Sequence, residues 1–182
     1  MNKLIIALAS IASLLLISCH TYTIHSAVGY QNLNDVQGFI AKGVDVNTKD
    51  AYGNTPLILA AQSGNYAIAK YLIDNGADVN ARNDEGWTAL LYASYYDSLP
   101  LAKTLIDHKA NPDLQNSEGW TALLYAVYYG RDRIAKLLIK HNANVNLTNK
   151  LGYNALTYAL QFQHPEIAQM LRARGAKPVY SE

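Results

Sequence analysis

Five histidines (His20, His25, His108, His141 and His164) and a single cysteine, Cys19, are the side chains of this 182-residue chain best suited to metal binding or nucleophilic chemistry. A zinc ion holds its histidine nitrogens at about 2 Å. His108 and His141 occupy equivalent places 33 residues apart in repeated segments. Packed helices lie about 10 Å apart, too far for the pair to share one ion. No HExxH, glycine-rich phosphate loop or G-x-S-x-G is present, so the common hydrolytic and nucleotide-binding arrangements are missing. The acidic residues are scattered, and Asp45 and Asp78 recur at one turn position, where they read as turn-holding residues. The pattern assigns no catalytic, cofactor or metal residues and points to a binding protein, not an enzyme.

The remaining chemistry is aromatic. The chain has 14 Tyr and 2 Trp, and both Trp fall in one string that occurs twice, EGWTALLYA-x-YY, at Glu85–Tyr96 and Glu118–Tyr129. The copies differ only at Ser94 against Val127 and are offset by 33 residues. The offset extends along the chain: Gly53, Gly86, Gly119 and Gly152; Leu57, Leu90, Leu123 and Leu156; Ala60, Ala93, Ala126 and Ala159; and Gly43, Gly76, Lys109, Asn142 and Gly175. A fixed period of this length is the mark of a repeat architecture, in which each unit buries its apolar face against its neighbours.

Gly53-Asn-Thr-Pro-Leu57, then Ala60-Ala61, Gly64 and Gly76-Ala-Asp-Val-Asn80, resembles an ankyrin repeat. The resemblance covers residues 24–179 and implies an all-α solenoid of about five helix-turn-helix units joined by β-hairpin-like loops, with atypical terminal units. The units span 24–49, 50–82, 83–115, 116–148 and 149–179. Thr55 and Thr88 are placed to cap first helices, and Pro56 suits a first helical position. Ile68, Leu72 and Ile73 repeat as Leu101, Leu105 and Ile106 and as Ile134, Leu138 and Ile139, the apolar stripe of a second helix. Arg172 replaces the last of these in the fifth unit, a charge where a sixth unit would pack, so that unit reads as a C-terminal cap. Lys177–Glu182 reads as a short frayed end, with 180–182 outside the repeats. The family's histidine after Thr-Pro-Leu is replaced by Ile58, Leu91, Leu124 and Thr157, so its hydrogen bonds between units are expected to be supplied otherwise or lost.

In ankyrin proteins the hairpin tips and inner helices form a concave recognition face. Carried onto this sequence, the resemblance places Glu85, Trp87, Tyr95 and Tyr96 there in the third unit, and Glu118, Trp120, Tyr128 and Tyr129 in the fourth. Tyr153 and Phe162 extend the series in the fifth. Two aromatic rows with a negative rim from Glu85 and Glu118 are expected, and large aromatics are the residues that carry interfaces. Tyr92, Tyr125 and Tyr158 stand where the family has a buried leucine and are expected inside. The two indoles, at hairpin tips, are expected to face a partner.

The start of the chain differs in kind. Lys3 precedes Leu4–Ile17, an uncharged stretch too short to span a bilayer comfortably. Residues 1–18 read as a secretory signal peptide. Leu16-Ile-Ser-Cys19 resembles the lipobox of bacterial lipoproteins, with Cys19 as the lipidated residue and 19–23 as a short tether. A lone thiol in an exported chain fits that role, since it has no internal disulfide partner. The resemblance also implies outer-membrane sorting, since His20, and not the aspartate associated with inner-membrane retention, follows the cysteine. Removal of the leader takes Lys3 and leaves 14 Lys+Arg against 14 Asp+Glu, without the basic block that nucleic acid binding requires.

The expected protein is a monomeric, lipid-anchored solenoid facing the periplasm. It would bind a periplasmic or membrane-bound protein as an adaptor or stabiliser. The alternatives are an immunity protein that blocks a toxin, and a glycan or peptidoglycan binder.

Overall fold

The computed structural model describes residues 22–179. Residues 1–18, expected as a signal peptide, Cys19, the start of the expected tether and the tail 180–182 lie outside the described residues. Within them are ten helices in five antiparallel pairs: α1 (Ile24–Gly29) with α2 (Leu33–Ala41), α3 (Pro56–Gln62) with α4 (Tyr66–Asp74), α5 (Ala89–Tyr95) with α6 (Leu99–Asp107), α7 (Ala122–Tyr128) with α8 (Asp132–Lys140), and α9 (Ala155–Gln161) with α10 (Pro165–Ala173). Each inner helix packs on its outer partner and on the inner helices before and after it. The core is therefore a stripe along the stack.

The inner helices begin where the threonines stand. Thr55, Thr88 and Thr121 accept from the N–H groups of Ile58, Leu91 and Leu124 at 3.4, 3.2 and 3.1 Å, and Pro56 occupies the first turn of α3. Asn154 replaces threonine in the fifth unit and caps α9 in the same way, accepting from Thr157 N–H at 3.0 Å. An inner helix is buried nearly all round, as Ala89 to Ser94 are in α5. An outer helix buries one stripe, Leu101, Ala102, Leu105 and Ile106 in α6. In α10 the stripe is Ile167, Ala168 and Leu171, and Arg172 is exposed.

Each outer helix ends on a left-handed residue. Gly43, Gly76 and Gly175 hold φ near +80° to +87°, and Lys109 and Asn142 hold +67° and +62°. The next N–H then turns back to the fifth residue before it; Ala77 donates to Leu72 O at 3.0 Å and Ala110 to Leu105 O at 2.9 Å, the hydrogen bond that closes a helix through a left-handed residue. A side chain in this conformation costs about 1 kcal/mol relative to glycine, somewhat less for Asn. A Cβ built on Gly43 or Gly76 meets open space, so at Lys109 the cost lies in the backbone.

The hydrogen bonds expected from the family's histidine are supplied by three other series across unit boundaries. Lys49, Arg82 and Gln115 donate side-chain N–H groups to the carbonyls of Arg82, Gln115 and Thr148 at 2.8–2.9 Å. Asn47, Asn80 and Asp113 accept from the backbone N–H of Asp78, Asn111 and Asn144 at 2.7–2.8 Å. The hairpin tips are joined by Asp84 N–H to Tyr52 O, Ser117 N–H to Glu85 O and Lys150 N–H to Glu118 O, at 2.8–3.1 Å. Asp45 and Asp78 hold their turns, each accepting the N–H two residues on at 2.9 Å.

The loops are hairpin-like turns, as expected, each tip closed by two backbone bonds such as Asn83 N–H to Trp87 O and Gly86 N–H to Asn83 O, with no strand among the described residues. One expectation needs correction. Lys177–Val179 is not a frayed end. Asn154 Nδ2 donates to Lys177 O at 2.6 Å, and the Thr157 hydroxyl donates to Val179 O at 2.9 Å and accepts from Val179 N–H at 3.0 Å. Thr157 stands at the family's histidine position and binds the returning chain, which folds over the last inner helix.

Candidate partner-binding surface

One asparagine at the base of each of the last three hairpins, Asn83, Asn116 and Asn149, holds the surface. Asn116 Oδ1 accepts from Glu118 N–H and Trp120 N–H at 3.0 and 2.9 Å, which fixes the turn and aims the indole. Its amide donates to the Tyr125 hydroxyl at 2.9 Å. Asn149 repeats this in the next unit, holding Leu151 and Tyr153 N–H and donating to the Tyr158 hydroxyl at 2.8 Å. Each asparagine thus sets a hairpin side chain and a helix side chain against one another. In the sequence these residues look like ordinary turn asparagines, and only the recurring Asn–Tyr spacing of nine could have hinted at the pairing.

The rings form an inner row that alternates between helix and hairpin. Trp87 stacks on Tyr92 of its own unit at 4.5 Å and on Tyr125 of the next at 5.1 Å; Trp120 stacks on Tyr125 at 4.8 Å and on Tyr158 at 5.5 Å. Tyr153 closes the row edge-on to Tyr158 at 5.5 Å. Tyr92, Tyr125 and Tyr158 are buried, as expected. The two indoles are not free at the tips. They are half-buried against the core, because a hairpin tip leans over the boundary and the gap between stacked tyrosines takes one ring.

The second row lies outside the first. Tyr96, Tyr95, Tyr129, Tyr128 and Phe162 run edge to face in that order, with ring centroids 4.9, 4.9, 5.0 and 5.2 Å apart. Such offset contacts are the favoured geometry of aromatic pairs. Tyr95 is half-buried, whereas Tyr96, Tyr128, Tyr129 and Phe162 keep 52, 38, 40 and 40 % of their surface exposed. Glu85 and Glu118 are exposed at the tips, and Glu118 lies 3.6 Å from Lys150. Trp87, Trp120 and Tyr153 thus belong mainly to the stack, while Tyr96, Tyr128, Tyr129 and Phe162 remain open to solvent. No group of three or more His, Cys, Asp or Glu among the described residues is close enough to hold a metal ion.

A family model described as Ankyrin repeats (3 copies) matches the chain twice, over residues 24–116 and 90–181. The chain belongs to the ankyrin-repeat family. Ankyrin repeats bind other proteins and are typically without enzymatic activity. No curated protein matches the chain closely enough to count as a relative. For these repeats the family frame leaves the aromatic rows as the distinguishing feature of the face formed by hairpins and inner helices.

The rows also titrate unusually. Burial pushes the Tyr125 phenol from its ordinary value of 10 up to about 12, against the hydrogen bond from Asn116. Burial, followed by a hydrogen bond with Tyr95, pushes Tyr129 up to about 12 as well. An unfolded phenol ionises near 10, so between about pH 10 and pH 12 the unfolded chain releases protons that the folded chain keeps. The stability contributed by the neutral rings is complete below pH 10 and is lost as pH rises through 12. The melting temperature followed by circular dichroism should fall across that window, together with the rise of tyrosinate absorbance. A flat melting temperature through it would show that the rings titrate as in water.

Proposed function

We propose that this ankyrin-repeat chain is a lipid-anchored module of the bacterial envelope whose outer aromatic row docks a periplasmic or membrane-bound partner protein, as an adaptor or stabiliser. The observation that carries the docking is the contiguous row Tyr96–Tyr95–Tyr129–Tyr128–Phe162, which leaves four large rings open on one face. Exposed aromatic patches of this kind mark contact surfaces, and Tyr is among the residues that dominate binding energy. The anchoring rests on Leu16-Ile-Ser-Cys19 behind an apolar leader.

The test is affinity capture from detergent-solubilised envelopes, comparing wild type with Tyr96→Ala/Tyr129→Ala/Phe162→Ala. These rings are exposed enough for the variant to keep its fold, which its helicity would verify. Loss of hot-spot rings worth roughly 2 kcal/mol each weakens a complex about 30-fold or more, so a protein held by wild type should be missing from the variant. Equal recovery would remove the outer row as the site. The anchor has its own test. Cys19→Ala should release the chain from the membrane fraction, and a variant that still pellets with membranes after a high-salt wash would refute lipidation at Cys19.

A further inference from the structure

The inner row is regular except at one place. Tyr125 and Tyr158 each have the amide of the hairpin asparagine on their hydroxyl. In the third unit the equivalent amide, Asn83 Nδ2, turns away and donates to Asn54 Oδ1 of the preceding unit at 2.9 Å. The Tyr92 hydroxyl is left with no hydrogen-bond partner among the described residues, although the residue is only 8 % exposed. Trp87 covers one ring face at 4.5 Å and Tyr96 stacks alongside at 6.3 Å. What Tyr92 still presents is its hydroxyl end, beside Asn83.

That end meets a groove of about 520 Å³ between the second and third hairpins. Asp50, Asp84 and Glu85 line it with Tyr52 and Tyr92, and no Lys, Arg or His does. Burial opposes ionisation of Asp50, but hydrogen bonds from the Asn54 side chain and from the Tyr52 and Asn54 N–H groups, and then the charge of His25 outside the lining, hold its carboxyl below the usual value. Neither the Asp84 nor the Glu85 carboxylate has a hydrogen-bond or ion-pair partner among the described residues. Burial and the nearby Glu85 charge both push the Tyr92 phenol up, so that carboxylate bears on the hydroxyl. The Tyr52 ring is 74 % exposed and touches no other ring.

We infer that this groove receives the guanidinium group of an arginine side chain from the partner protein. The inference rests on the reading of this face as the partner site. The groove offers acceptors and negative charge with no cation among its lining residues; Arg82 lies beyond the tip, in the neighbouring pocket that Asp84 and Glu85 also line. A guanidinium brings five donors in a planar fork and no acceptor, which matches paired carboxylates and a phenol oxygen. Its flat face can lie on the open Tyr52 ring, a contact a compact ammonium makes less well. The partner would lay apolar side chains on the outer row and place the arginine at its acidic end.

The test uses N-acetyl-arginine amide as probe on the isotopically labelled full chain in detergent micelles, read by amide chemical shifts. Saturable, millimolar shifts are expected at Tyr52, Asp84 and Glu85, and they should vanish in Asp84→Asn/Glu85→Gln. These substitutions remove charge from side chains that bond to nothing in the fold. N-acetyl-citrulline amide, of the same shape and uncharged, should leave those amides unmoved. Absent shifts, or equal shifts with the citrulline probe, overturn the inference. With a captured partner in hand, Asp84→Asn/Glu85→Gln should weaken binding tenfold or more. Unchanged affinity in that variant, with binding lost in the outer-row variant, would overturn the arginine and leave the face standing. Unchanged affinity in both would refute the face itself.

Discussion

Tyr125→Ala should destabilise the solenoid by about 3–5 kcal/mol, the cost of deleting a large buried aromatic side chain. The ring lies between two indoles, 5.1 Å from Trp87 and 4.8 Å from Trp120. Tyr95 meets its edge at 5.6 Å. Alanine would leave a slot at the boundary of the third and fourth units. Neither indole could close it without dragging its hairpin, whose backbone is tied to the next hairpin. A stack of repeats holds together through such nearest-neighbour interfaces, so the loss falls where the units are coupled. Tyr125→Phe isolates the hydroxyl. It strands the buried Asn116 amide, whose acceptor is this phenol at 2.9 Å, for about 1–3 kcal/mol. Tyr96→Ala, on the exposed outer row, should cost less than about 1 kcal/mol. Urea unfolding of the three variants, followed by circular dichroism, gives the order directly. If Tyr125→Ala were no worse than Tyr96→Ala, the inner row would be an ornament of the surface and not part of its core.

The period of 33 was enough to place the helices, because caps, stripes and left-handed positions all repeat within one unit. Thr55, Thr88 and Thr121 are capping residues wherever a helix starts, and a left-handed site shows itself when Gly76 becomes Lys109 and then Asn142. Contacts that cross a boundary out of register are harder to see. Trp87 touches Tyr125, and nothing in a repeat alignment pairs those positions. An indole at a hairpin tip is equally suited to solvent-side recognition and to filling a gap, and only the lean of the hairpin decides. The same holds for Asn83, Asn116 and Asn149. All three fix their turns, but whether the amide reaches a tyrosine or the previous unit depends on whether that unit offers the Asn54 side chain or, at the equivalent place, an indole without an acceptor, Trp87 or Trp120. The return of Lys177–Val179 onto Thr157 lies beyond the periodic signal, and its only trace was a hydroxyl where the family has histidine. The leader and Cys19 lie outside the described residues, so their reading still rests on the sequence pattern.

Gly119→Ala and Gly152→Ala form a matched pair that measures how much the close approach of hairpins contributes. Both glycines are left-handed, with φ of +78° and +79°, so both variants bear the backbone strain of a side chain there, about 1–2 kcal/mol. They differ in their surroundings. A Cβ on Gly119 would sit 3.0 Å from Asn149 Cα and 3.0 Å from Lys150 N, whereas one on Gly152 meets nothing within 4 Å. The obstructing atoms are backbone and cannot swing aside. The fourth and fifth tips would have to part, stretching the hydrogen bond from Lys150 N–H to Glu118 O, now 3.0 Å. Overpacking of this kind adds about 1–3 kcal/mol, so Gly119→Ala should be the less stable by that margin in urea unfolding. Equal losses would mean that the tips separate freely. The spacing of the tips also sets the slot that holds Trp120 between Tyr125 and Tyr158, and the pitch at which Tyr129 and Phe162 are presented. Partner affinity should therefore fall in Gly119→Ala and hold in Gly152→Ala. In that way glycine spacing inside the hairpins reaches the face proposed to bind.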